Sequence, residues 1–85
     1  MMDEKVTESA TPKKESPCKV IKRSVKIAGH ATSVTMERAF WETLERIAAQ
    51  DGVSVSSQIA AVDGANKGKC SLSAALRVYI LMRVT

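Results

Sequence analysis

The chain is poor in the residues that build metal and catalytic sites. It has two cysteines, Cys18 and Cys70, and a single histidine, His30. There is no CxxC pair, so four protein ligands for zinc cannot be assembled. Neither cysteine is placed like a staple, and both are expected as free thiols in a reducing compartment. Paired carboxylates, Cys-His or Ser-His-Asp spacing and a glycine-rich phosphate loop are all missing. Asp63 has no second carboxylate near it in pattern. Cys70 has Lys67 and Lys69 nearby but no base to activate it. The expectation is no catalytic residue, no metal and no cofactor, and hence no enzyme. Long apolar runs are lacking too. Val78–Met82 is far short of the ~20 residues a membrane span needs. The beginning, Met1-Met2-Asp3-Glu4-Lys5, has no apolar core of a signal peptide. A cytoplasmic protein without membrane contact is expected.

What is present is a small, basic chain of 85 residues with net charge +4 and 45% apolar residues. A folded unit of about 60 residues buries only about 60% of its unfolded surface. Oligomerisation commonly supplies the rest. The charge is unevenly placed. Residues 1–17 hold four acids and three lysines, a net of −1. Residues 18–27 hold Lys19, Lys22, Arg23 and Lys26 without an acid, a net of +4. Residues 28–85 hold six bases and five acids, a net of +1. A concentrated cluster of this kind is what phosphate binding uses, although a solvated linker can have the same composition.

Residues 1–18, rich in Lys, Glu, Ser, Thr and Pro, read as a disordered tail preceding a domain over 19–85. Ser24-Val25-Lys26-Ile27 alternates polar and apolar, and Ala28-Gly29-His30 interrupts. A second alternation puts Thr32, Val34 and Met36 on one side and Ala31, Ser33 and Thr35 on the other. Whether residues 24–27 extend that strand or form another stays open at this point. From Met36 the period changes. Phe40, Leu44, Ile47 and Ala48, with Trp41 beside them, make one stripe of a helix over about 37–50, capped by Thr35 or Met36 and stopped by Gly52. Phe40 and Trp41 are read as core and not as a binding platform. Ser54 caps a second, short helix that buries Val55, Ile59 and Val62, and Gly64–Cys70 reads as a loop. Ser71 or Ser73 caps a third helix reaching Val84. Leu72, Ala75, Leu76, Tyr79 and Ile80 form its main stripe, while Val78, Leu81, Met82 and Val84 cover much of the remainder. Arg77, on this apolar helix, is expected to pair with an acid or to reach solvent.

The expected fold is mainly α with one short strand. A lone strand leaves its backbone groups without partners. Pairing with the same strand of a second copy would complete a two-stranded antiparallel ribbon, and the same copy would cover the third helix. The expected core and dimer contact consists of Val34, Met36, Phe40, Trp41, Leu44, Ile47, Ile59, Val62, Leu76, Tyr79 and Ile80.

This arrangement resembles the ribbon-helix-helix repressors, the class of Arc and the methionine repressor, and more closely a compact bacterial subfamily. The resemblance rests on Lys22-Arg23-Ser24-Val25, Gly29-His30, Thr32-Ser33-Val34-Thr35-Met36-Glu37, Phe40-Trp41, Leu44, Ile47-Ala48, Gly52-Val53-Ser54 and Leu72-Ser73-Ala74-Ala75-Leu76-Arg77. It implies an intertwined homodimer whose ribbon enters the major groove of duplex DNA. Ser33 and Thr35 would then face bases. Lys22, Arg23 and Lys26, together with the amide groups of Ser54, Val55 and Ser56 at a helix start, would hold phosphates. Ala31 stands where the resemblance calls for an outward arginine, and the second helix is shorter than in the simpler repressors. The reading is a dimeric transcriptional regulator or repressor, with association on tandem sites left open. The alternative is a protein-interaction module, antitoxin-like or anti-activator, that keeps the dimer fold without reading bases.

Overall fold

A computed structural model describes residues 16–85. Strand β1 (Val20–Ile27) and strand β2 (His30–Glu37) are followed by α1 (Arg38–Asp51), α2 (Val55–Asn66) and α3 (Leu72–Val84). The two strands form an antiparallel hairpin, with Ile27 paired to His30 and Val20 to Glu37. Among the described residues the sheet is thus two-stranded, but both strands belong to one chain. This corrects the expectation of a single strand that must borrow its partner. The cause is the Ala28-Gly29 turn. Both residues have positive φ, 52° and 83°, as a type I′ two-residue hairpin loop requires. The basic segment from Lys19 to Arg23, legible as a linker, is largely strand. The expected tail falls for residues 1–15 outside the described residues. Pro17 and Cys18 form a turn that Lys19 closes by donating to the Ser16 carbonyl at 3.0 Å.

That turn has a further role. The start of α1 has no side-chain cap; its N-cap residue is Glu37 rather than Thr35 or Met36. Its first amides instead donate to the preceding segment, Arg38 to the Lys19 carbonyl at 2.8 Å and Ala39 to the Pro17 carbonyl at 2.9 Å. Donors left over at the helix start are satisfied by backbone acceptors of the β1 lead-in. Gly52, with φ 71°, ends α1 as the sequence suggests. The Ser54 hydroxyl caps α2 by accepting from the Ser57 amide at 3.0 Å. α2 does not stop at Gly64 but runs on to Asn66. The Asn66 side chain then donates to the Cys70 carbonyl at 2.7 Å, shaping a shorter loop than expected. Of the two serines considered for α3, Ser71 is the cap.

The helices cover one face of the hairpin. Val34, Met36, Trp41, Leu44, Ile47, Ile59, Leu76 and Ile80 form the buried core, and Phe40, Val62 and Tyr79 pack half-buried at its border. Trp41 is fully buried, and its indole Nε1 donates to the Ile21 carbonyl at 3.0 Å. A burial of this kind needs that partner for its polar N–H. The described residues cover α3 on one side only. Val78, Leu81, Met82 and Val84 remain 55–71% exposed.

One polar network joins all three helices. Arg83 of α3 makes a two-pronged pair with Asp51 at the end of α1, at 2.9 and 3.0 Å. Gln58 of α2, itself buried, donates to Asp51 at 2.8 Å and to the Tyr79 hydroxyl. The Arg83 guanidinium, and next the Gln58 amide, hold the Asp51 carboxyl down from 3.8 to about 2. The folded-state value lies below the unfolded one, so ionised Asp51 favours the fold above about pH 4 and that contribution is lost as pH falls toward 2. Asp51→Asn is expected to flatten this part of the acid-unfolding curve, measured by circular dichroism. An unchanged curve would place the acid sensitivity elsewhere.

Candidate nucleic-acid interface

Alternation along both strands divides the hairpin side chains into two sets. Ile21, Arg23, Val25, Ile27, Thr32, Val34 and Met36 face the helices and are half-buried or buried. Lys22, Ser24, Lys26, Ala31 and Ser33 are exposed, and half-buried Thr35 shares their side. The register brings Lys22 opposite Thr35, Ser24 opposite Ser33 and Lys26 opposite Ala31. Because Ile27 and His30 close a two-residue loop, these three are the pairs that lack mutual hydrogen bonds, in which side chains stand closest, about 4.5–5.5 Å between Cβ atoms. The outer face is therefore a patch of two lysines and three hydroxyls. Glu37, the acid at its end, is engaged by Arg77 Nε at 3.2 Å. Its own backbone amide, and next Arg77, hold the Glu37 carboxyl below the ordinary carboxylate range.

The predicted base-facing pair, Ser33 and Thr35, lies on this patch with Lys22 and Lys26. Ser24 belongs to it as well. Its signal was its place in the Ser24–Ile27 alternation, which fixes a face only once the hairpin register is known. Arg23 does not belong to it. Strand parity turns it toward the helices, where its guanidinium stacks 4.4 Å from the centre of the Trp41 ring and pairs with Glu45 at 3.0 Å. These contacts commit it to the fold. Lys26 stands directly opposite Ala31, so a long basic side chain lies beside that position on the outer face.

Ser54, Val55 and Ser56 lie at the start of α2, away from the hairpin pairs in sequence. The Ser57 amide is taken by the Ser54 hydroxyl. Helix geometry leaves the Val55 and Ser56 amides without intrahelical acceptors, a start suited to an anion. Among the described residues no three His, Cys, Asp or Glu side chains cluster to hold a metal. No described helix is long and apolar enough to cross a membrane. Cys18 and Cys70 are both free and exposed.

The sequence profile of the ribbon-helix-helix domain matches residues 20–84, from the first strand to the last helix. The chain belongs to this family. Ribbon-helix-helix domains are DNA-binding regulators built on a non-enzymatic fold, and two-stranded ribbons are established groove readers. Among solved structures, the chain is similar to an uncharacterized protein from Bordetella pertussis Tohama I, at 32% identity and a TM-score of 0.68. The match covers 86% of this chain and 62% of that one. No curated protein matches the chain significantly. The present ribbon-helix-helix domain carries a third helix after the two that give the family its name.

Proposed function

We propose that this ribbon-helix-helix protein is a dimeric, cytoplasmic transcription regulator, acting as a repressor, that lays the outer face of its hairpin in the major groove of duplex DNA. The observation that carries the reading is the cross-strand patch of Lys22, Ser24, Lys26, Ser33 and Thr35 on the side of the sheet away from the core.

Adjacent strands lie about 4.8 Å apart, and the major groove is about 12 Å wide. Two β2 strands, one from each copy, would fill its floor. The flanking β1 strands then bring Lys22 and Lys26 to the groove walls, where phosphates run. Ser33 and Thr35 would meet base edges. Hydroxyls accept or donate to any base, so discrimination is weak and affinity rests mainly on phosphate contacts. The Val55 and Ser56 amides, with the capping Ser54, are proposed to take one further phosphate.

Fluorescence anisotropy with a labelled duplex from the upstream region of the protein's own gene tests this. Binding should weaken with salt at about −0.9 in log K per log salt for each phosphate contact. No binding at low salt by the folded dimer would refute it. The second reading, a protein-interaction module, is favoured by the apolar groove of about 450 Å³ between α2 and α3, lined by Ala61, Val62, Ala65, Val78 and Tyr79. A stoichiometric protein partner that binds equally well without Lys22 and Lys26 would favour that reading.

A further inference from the structure

The groove of about 450 Å³ between α2 and α3 has no part in the proposed contact with DNA. It follows from small side chains. Ala61 and Ala65 stand one turn apart on α2, and Ala75 lines the groove from α3. Larger residues at these positions would meet across the space. Val62, Val78 and the Tyr79 ring supply the walls.

Two polar side chains also line the groove, and both spend their polar atoms elsewhere. The Tyr79 hydroxyl accepts from Gln58 and, at 2.6 Å, from Arg83. Asn66 Nδ2 donates to the Cys70 carbonyl at 2.7 Å, and its Oδ1 accepts from the Cys70 amide and thiol at 3.3 and 3.2 Å. What remains is apolar carbon with one charged group, the Lys69 ammonium. No acid lines the groove; Asp63, the nearest in sequence, is not part of its wall. Among the described residues Lys69 has no carboxylate partner. Lys67 adds a second positive charge to the same loop.

The volume lies in the range of small-molecule sites, about 300–1,000 Å³. Nine residues line it, against about 20–30 a side in a stable protein interface. We propose that this groove binds a small amphipathic anion, an aliphatic carboxylate. Its chain lies along Ala61, Ala65 and Val78, and its head group pairs with Lys69. The site is independent of the DNA reading, so either can fail alone.

Octanoate, held below its micellar concentration, is the probe. It is titrated without DNA into the isotope-labelled full chain, and the backbone amides are followed by NMR. Saturable shifts should gather at residues 61–70 and 75–79. Butyrate should bind at least about tenfold more weakly, because affinity grows with the methylenes withdrawn from water. Lys69→Gln should weaken octanoate by about threefold to fivefold, the worth of an exposed ion pair. It should leave octanol, the same chain without the charge, unchanged. Ala65→Leu, at an exposed position that accepts a larger side chain, should fill the groove and weaken both probes at least about tenfold. Octanoate binding that ignores Lys69→Gln would overturn the carboxylate as the ligand class. Binding that survives Ala65→Leu, or shifts spread over the whole chain, would overturn the site. Shifts of the groove amides on dilution, with no response to octanoate, would mean that a second copy occupies the groove and would overturn the small-molecule assignment.

Discussion

Val34→Lys is expected to leave no folded protein. Val34 is fully buried in the middle of β2, within the cluster that includes Met36, Trp41, Leu44 and Leu76. A lysine there must bury an ammonium group without a partner or drive the hairpin off the helices. An unpaired buried charge costs several kcal/mol even after the surroundings relax. A single core in a chain this small rarely supplies more than about 3–5 kcal/mol. The far-UV circular dichroism of the variant should lack helix, and no cooperative thermal transition should remain. A variant that melts cooperatively near the wild-type temperature would mean that the two faces of β2 have been assigned the wrong way round.

The second large effect concerns DNA. Lys22→Gln combined with Lys26→Gln should lower duplex affinity by on the order of 100-fold or more at low salt, since each removed phosphate contact also takes about 0.9 off the salt slope. In a dimer four lysines are lost, so the slope should fall by about 3.6. The fold should be unaffected, because both side chains are exposed. Arg23→Gln gives the opposite pattern. Its guanidinium lies over Trp41 and against Glu45, so the salt slope should hold while thermal stability declines. A loss of slope with Arg23→Gln equal to that of the lysines would place the basic cluster on one common surface, against the observed strand parity.

The contrast between Arg23 and its lysine neighbours marks what the sequence could and could not tell. The helical stripes were legible because apolar residues recur at helical spacing, and Gly52 and Ser54 carry strong stop and start chemistry. The alternation of β2 was legible for the same reason, which set Ser33 and Thr35 on the outer side. β1 was hidden by its composition. Lys19, Lys22, Arg23 and Lys26 read as a charge cluster, and a cluster has no faces until it is known to be a strand. The turn was hidden as well. Alanine seldom takes a left-handed conformation, at a cost of roughly 1–2 kcal/mol, so Ala28-Gly29 does not announce a hairpin as Asn-Gly would. The continuation of α2 through Gly64 was missed because glycine disfavours a helix interior by only about 1 kcal/mol. Tertiary context overrides that amount, and here Asn66 closes the helix end against Cys70. The Asp51, Gln58, Tyr79 and Arg83 network joins residues far apart in the chain, and no local pattern points to it.

On the proposed function, the outward side of the hairpin is the surface that meets DNA. Titrating the isotope-labelled protein with a short duplex and following its backbone amides by NMR tests this most directly. Shifts should concentrate at Lys22, Ser24, Lys26, Ala31, Ser33 and Thr35, with α3 from Val78 to Val84 unmoved. Shifts confined to α3 and the α2–α3 groove, with the hairpin silent, would contradict it.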